Sequence, residues 1–449
     1  MDAFGLPCHH LTEGLILTMV AGEFRELTQE IKNNDPERDG FHLTSDDSRH
    51  FSDLQWALLG GFISNNDHLR SIDLPHCRLT DTKMPHLFRR WMRSESLEEL
   101  DISGNRFGMD GTRSMVPFLK NAQSLNRLDI GENDINTECF RVLVEALHSA
   151  GVIESLLLVE CSIDDITALT DYPLPHLRYL SLYDNIIRDI QALENYTNLE
   201  CLFLGKNKVG RVGCRSIAKL LQKEGTCMRT LHLSSTEMGD EGAEMLTNAL
   251  KHNTTLETLR LGGENNITEK GYRAFLKLLN NISSIDNTYN SNHTLTRLAL
   301  PESTDATILE IKNFIDSATE SSGREKVIDT QFSRNTRMAL CRLQGIDYSY
   351  SSIFANIEPV ILPEVLALVG GTHGQNELYE MLLATAPDLA SVVNRKDLFK
   401  QTLAENTARI ATLEAELAAL TVRNLQLNNG LAAMESEQNN QRAVVEGNN

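Results

Sequence analysis

The chain has 449 residues, room for two or three domains or for one solenoid with extensions. Its 62 acidic against 42 basic residues give a net charge of −20, which argues against nucleic-acid backbones and anionic membrane surfaces as partners, since both reward cationic patches. A hydrophobic content of 41% fits a soluble globular protein, and no apolar run nears the roughly 20 residues of a membrane helix.

Residues 1–50 read as an N-terminal cap region. The apolar stretch from Leu11 to Val20 is broken by Glu13, lacks a basic flank and precedes no clear cleavage site, so it does not fit a secretory signal. The stretch 51–66, FSDLQWALLGGFISNN, predicts a helix and a degenerate first repeat. Eight segments of the form apolar-x-x-apolar-x-apolar then begin at Leu69, Leu97, Leu125, Ile153, Leu177, Leu199, Met228 and Leu256, spaced by 28, 28, 28, 24, 22, 29 and 28 residues. One such segment would be noise; eight at near-constant spacing define a repeat architecture. Between them, stretches such as CFRVLVEALHSA (139–150) and GYRAFLKLLNN (271–281) carry apolar residues three and four apart and predict helices. The two short repeats over 153–198 leave room only for a turn or a 3₁₀ piece.

LTRLAL (295–300) predicts a closing strand and ends a solenoid spanning 51–300. Residues 301–395 predict a helical capping segment, because the last repeat of a solenoid otherwise exposes its core. From 396 to 437 apolar residues follow a heptad, with Leu403, Ile410, Leu417, Asn424 and Leu431 at a positions and Leu413, Leu420 and Leu427 at d positions. A single Asn among the a positions favours a registered parallel homodimer. The competing reading is one amphipathic helix folded onto the body of the protein. Residues 438–449 read as a disordered tail.

The repeats resemble the leucine-rich-repeat family, specifically its ribonuclease-inhibitor-like class with 28–29-residue repeats. The family's Asn/Cys position holds Cys77, Asn105, Asn133, Cys161, Asn185, Asn207 and, shifted by one residue, Asn265, while Thr236 departs from it. The resemblance implies an α/β solenoid, a horseshoe with a parallel sheet on the concave face and helices on the convex face. It also implies a protein-binding scaffold or adaptor. In each segment the third and fifth residues then project from the concave sheet. They form an acidic stripe of Asp73, Glu99, Asp101 and Asp129, interrupted by Arg127. A cluster of Leu157, Tyr179, Tyr183 and Phe203 follows, and then His232 and Arg260. Exposed aromatics are typical binding anchors, so this face is expected to hold a protein partner carrying a basic segment. The competing reading is a solvated acidic face whose aromatics pack on one another.

The eight cysteines are scattered without a CxxC pair, which predicts free thiols in a reducing compartment, the cytoplasm or the nucleus. No GxSxG, GxxxxGK[ST] or HExxH motif occurs, so no enzyme activity, cofactor or metal is expected. Ran GTPase-activating proteins share this repeat class. That resemblance implies an alternative role as a regulator of a small GTPase, with Arg78 and Arg106 as the residues to examine.

Overall fold

In the computed structural model the described residues are 24, 28–29, 31–37, 39–89, 91, 95–331, 334–346, 403–404, 406–424, 426 and 428. Among the described residues ten three-residue strands form one parallel sheet in strictly sequential order. They are β1 (Gly40–His42), β2 (Ser71–Asp73), β3 (Glu99–Asp101), β4 (Arg127–Asp129), β5 (Ser155–Leu157), β6 (Tyr179–Ser181), β7 (Cys201–Phe203), β8 (Thr230–His232), β9 (Thr258–Arg260) and β10 (Arg297–Ala299). The central residue of each strand from β2 to β9 points into the core and is essentially inaccessible, as Ile72, Leu100, Leu156 and Leu231 illustrate. The apolar residues flanking each strand close the same core, which is why three positions per repeat are apolar.

Helices return the chain behind the sheet in the long repeats, over Met109–Asn121, Thr137–Ala150, Gly210–Gln222, Gly239–Leu250 and Glu269–Leu279. Each buries one apolar face; in Thr137–Ala150 that face includes Phe140, Leu143, Val144 and Leu147. This helix starts at Asn136, whose side chain accepts from the Cys139 N–H, and stops at Gly151 in the left-handed conformation. The two short repeats hold only Ala168–Asp171 and the 3₁₀ turn Gln191–Leu193, since 24 and 22 residues leave no room for three helical turns.

Helix starts are also capped from the preceding repeat. Asp81 Oδ1 accepts from the N–H groups of Gly108 (2.8 Å) and Gly111 (2.7 Å). Asp240 does the same for Thr268 (2.8 Å) and Gly271 (3.0 Å). A Cβ at Gly271 would stand 2.7 Å from the Asp240 carboxylate and 2.5 Å from Ile267, so this interlock leaves no space for a side chain.

The Asn/Cys position makes a ladder through the solenoid. Asn207 donates to the carbonyls of Leu182 (2.7 Å) and Leu204 (3.0 Å) and accepts from the Ile187 N–H (2.9 Å). Asn105 and Asn185 repeat the pattern, and Asn265 bonds the carbonyls of Leu233 and Leu261, both at 2.7 Å. Cys77 supplies a weaker donor to the Leu43 carbonyl at 3.5 Å. Thr236, which breaks the sequence pattern, keeps its chemistry: its hydroxyl donates to the Leu233 carbonyl at 2.8 Å. A second periodicity escapes the sequence pattern. Residues His76, Gly104, Glu132, Glu160, Asp184, Lys206, Ser235 and Gly263, at the spacings of the repeats themselves, all have positive φ where the chain turns away from the sheet.

The sheet begins earlier than the spacing predicts. β1 lies inside the region read as an N-terminal cap and pairs Phe41 with Ile72. Its segment places Arg38 where the first leucine should stand, leaving only Phe41 and Leu43 to mark it. The predicted capping segment 301–395 is divided. The chain forms two compact units, Met1–Asn281 with Asn290–Gly323 and Ile282–Tyr289 with Arg324–Asn449. Helix Ala306–Glu320, in the first, packs on Glu269–Leu279 and buries Ile311 and Ile315. It ends in extended backbone at Ser321, and the chain passes into the second unit after Gly323. In that unit Gln331 donates to the Ile282 carbonyl (3.1 Å) and the Thr288 hydroxyl (2.7 Å). Residues 347–402, and with them most of the predicted capping segment, lie outside the described residues, as do 1–23 and the tail 438–449. Among the described residues no helix is long and apolar enough to cross a membrane.

Replacing Asn207 by Ala leaves two carbonyls and one N–H buried without their partner. A loss of about 3 kcal/mol in unfolding free energy is expected, measured as a lowered urea midpoint with an unchanged circular dichroism spectrum at zero urea.

Candidate protein-binding face

The parallel register carries the sequence columns across the sheet without a slip. Asp73, Asp101, Asp129, Leu157, Ser181, Phe203, His232 and Arg260 are successive partners in one column. Glu99, Arg127, Ser155, Tyr179 and Cys201 are successive partners in the other. All the predicted face residues therefore lie on one side of the sheet, with Tyr183 just beyond the end of β6. Glu99 and Arg260 are exposed, and the other predicted face residues are half-buried.

The structure brings the aromatic residues together. The rings of Tyr179 and Phe203 lie 5.1 Å apart, Phe203 and His232 meet edge to face at 5.8 Å, and Tyr183 and His232 lie 5.7 Å apart. They do pack on one another across strands, and they still present half-buried surface. Lys206, which the columns did not single out, lies over the Tyr183 ring at 5.2 Å and pairs with Asp184 at 2.6 Å. Gly205 makes room for that ring, since a Cβ there would stand 2.8 Å from it. His232 is bonded to the Ser234 hydroxyl at 2.8 Å. Burial, and then the charge of Arg260, holds its imidazole below the usual histidine range.

The acidic columns line a cleft of about 300 Å³ formed by His42, Asp73, Pro75, Glu99, Leu100, Asp101 and Arg127. His42 enters from the strand that the repeat spacing missed, and Pro75 lies past the end of β2. Arg127 donates to the Ser155 hydroxyl at 3.2 Å. Asp129 is pushed up to about 6, chiefly by burial, with a bond from the Gly131 N–H opposing the shift and Asp101 adding to it. Burial likewise pushes the Cys161 and Cys214 thiols up to about 12, so neither supplies a thiolate near neutral pH. Among the described residues no group of three or more His, Cys, Asp or Glu is placed to hold a metal ion. Arg78 and Arg106 are exposed on the turns that follow β2 and β3.

In the second compact unit, residues 406–424 are helical. Leu413, Leu417 and Leu420 are 51%, 67% and 57% exposed, Leu403 and Asn424 are also exposed, and Ile410 is half-buried. Leu427 and Leu431, also predicted for the seam, lie outside the described residues.

Repeat, ladder and sheet together make a leucine-rich-repeat solenoid, similar to those of the ribonuclease-inhibitor-like class. The family model described as leucine-rich repeat matches residues 93–115 and 226–246. Among curated proteins, the ribonuclease inhibitor of Mus musculus is 24% identical over 272 residues, covering 54% of this chain and 52% of that protein. The ribonuclease inhibitor of Sus scrofa is 26% identical over 267 residues, covering 49% and 58%. The chain thus spans little more than half the length of either. A solved structure of internalin C2 from Listeria monocytogenes is 21% identical with a TM-score of 0.35, covering 47% of this chain and 84% of that one. Leucine-rich-repeat proteins generally act as protein-binding scaffolds.

Raising the carboxyl of Asp129 means that the folded chain holds its proton to a higher pH than the unfolded chain does. Between the ordinary carboxylate value of 3.8 and about 6 the folded state binds more protons, so stability falls as pH rises through that window. Asp129→Asn, which keeps an oxygen for the Gly131 N–H, is expected to raise the urea midpoint at pH 7 and to bring little gain at pH 4. An equal effect at both values would show that burial of this carboxylate carries no cost.

Proposed function

We propose that the chain is a protein-binding scaffold that recognises its partner on the open face of the sheet. The observation that carries this reading is the patch of Tyr179, Phe203, Tyr183 and His232, rings in mutual contact yet half-buried on a face whose core is already filled by leucines. Large rigid rings give contact area at small entropic cost and are frequent anchors of interfaces. Asp73, Glu99, Asp101 and Asp129 beside them select a basic segment of the partner through complementary charge. Two relatives are named as inhibitors of a ribonuclease, an action on another protein, which supports protein as the partner class.

The heptad segment over 396–437, helical over its described residues 406–424, supplies a second function, self-association as a parallel homodimer. Exposed Leu413, Leu417 and Leu420 at core heptad positions support this, with Asn424 setting the register. Two linked copies gain avidity when both faces engage.

Combining Tyr179→Ala with Phe203→Ala is expected to abolish affinity capture of partners recovered with the unaltered chain, while the circular dichroism spectrum stays the same. Full capture by the folded double variant would sink the reading. For self-association, sedimentation equilibrium of the full chain is expected to give twice the monomer mass, and deletion of 396–437 to halve it. An unaltered mass after deletion would remove the segment from the account.

A further inference from the structure

The sheet face changes sign along its length. Carboxylates occupy β2 to β4 and the aromatic patch occupies β6 to β8. The far end carries Arg260 on β9 and Arg297 on β10. In the register Arg260 faces Ala299 and Arg297 faces Thr258, so the two guanidinium-bearing residues stand diagonally on neighbouring strands. Both are exposed, and among the described residues neither pairs with a carboxylate. Many arginines elsewhere in this compact unit are neutralised: Arg70 by Glu98, Arg141 by Asp171, Arg178 by Glu200, Arg211 by Glu241 and Arg229 by Glu257. Two adjacent arginines that pair with no carboxylate among the described residues form an anion-selective end on a sheet face whose other end is acidic.

The distances define what fits. Asp129 and Arg260 share one column and are five strands apart, about 24 Å at roughly 4.8 Å per strand, with Phe203 between them. That is the span of seven or eight residues of extended chain. His232 lies next to Arg260 and is held neutral near pH 7, so the positive charge at this end belongs to the two arginines. Guanidinium groups match carboxylates in planar, two-bond geometry. The acidic stripe at the other end repels polyanions, so nucleic acids do not fit the face as a whole.

We propose that the partner's docking segment is dipolar: a basic end over Asp73, Glu99, Asp101 and Asp129, an aromatic or aliphatic middle on Tyr179 and Phe203, and an acidic end whose carboxylates are bound by Arg260 and Arg297. This rests on the sheet-face reading above and extends it with the acidic end. The arginines fix the direction in which the segment lies, because the reversed segment sets like charges against each other at both ends.

The test uses the full chain and fluorescent ten-residue peptides, read by anisotropy. Each has two arginines at one end, tryptophan and leucine in the middle and two glutamates at the other end, made in both chain directions. Companion sets carry glutamine, phosphoserine or lysine in place of glutamate. The glutamate set is expected to bind in one direction, and its glutamine counterpart about tenfold more weakly, as two exposed ion pairs allow. Arg260→Glu combined with Arg297→Glu, at exposed positions that leave the fold intact, is expected to lose the same factor for glutamate peptides and to bind the lysine set better than the unaltered chain does. Equal binding of the glutamate and glutamine sets, or no gain for lysine on the reversed variant, overturns the acidic-end assignment alone. Preference for phosphoserine by tenfold or more over glutamate overturns carboxylate as the ligand. Failure of every set to bind the unaltered chain overturns the sheet-face reading with it.

Discussion

The structure depends on how the backbone groups at each bend are satisfied. After every three-residue strand the chain turns inward and carries carbonyl groups into a leucine core, where water cannot reach them. The side chain of Asn207 shows the solution: its amide donates to the last apolar residue of its own strand segment, Leu204, and of the preceding one, Leu182, while its oxygen takes the Ile187 N–H. One group thus sets both the bend within a repeat and the distance to the previous repeat. Given that spacing, strand register follows, and the outward side chains fall into columns. The leucines carry the folding burden, which leaves the open face to vary in chemistry.

Much of this was legible in the sequence because the core imposes a strict pattern. Three buried apolar positions per repeat cannot be relaxed, so β2 to β9 could be placed from leucine spacing, and the two short repeats announced their missing helices by length alone. What escaped did so for physical reasons. β1 has only Phe41 and Leu43 as buried markers, because the first apolar position of the repeat pattern is not apolar in its segment. His42 was lost with that strand. Lys206 occupies a turn, where no hydrophobic period applies, and its relation to Tyr183 depends on a left-handed backbone that the sequence does not display. Segment 301–395 reads as one helical stretch because local periodicity does not record which body each helix packs against.

The face residues illustrate the same division. Columns gave their positions, since period-two alternation fixes which way a strand side chain points. The mutual packing of Tyr179, Phe203 and His232, and the burial of Asp129 beside Asp101, come from three-dimensional crowding that spacing does not encode. Partner identity lies further still from the pattern. Solenoids of one class share the core and differ at the columns, so chemistry at the columns, and not the repeat, must supply specificity.

The interlocking caps have a consequence for how the molecule comes apart. Asp81 holds the start of the helix one repeat ahead, and Asn105 reaches one repeat back to the Leu74 carbonyl. Bonds of this kind join nearest neighbours only, so the solenoid is a one-dimensional array in which opening one repeat weakens the two beside it and leaves distant ones indifferent. Local opening can therefore start within the array as well as at its ends. A segment lying across the sheet from β2 to β10 would join repeats that share no bond of their own, turning a chain of local equilibria into a single longer cooperative body.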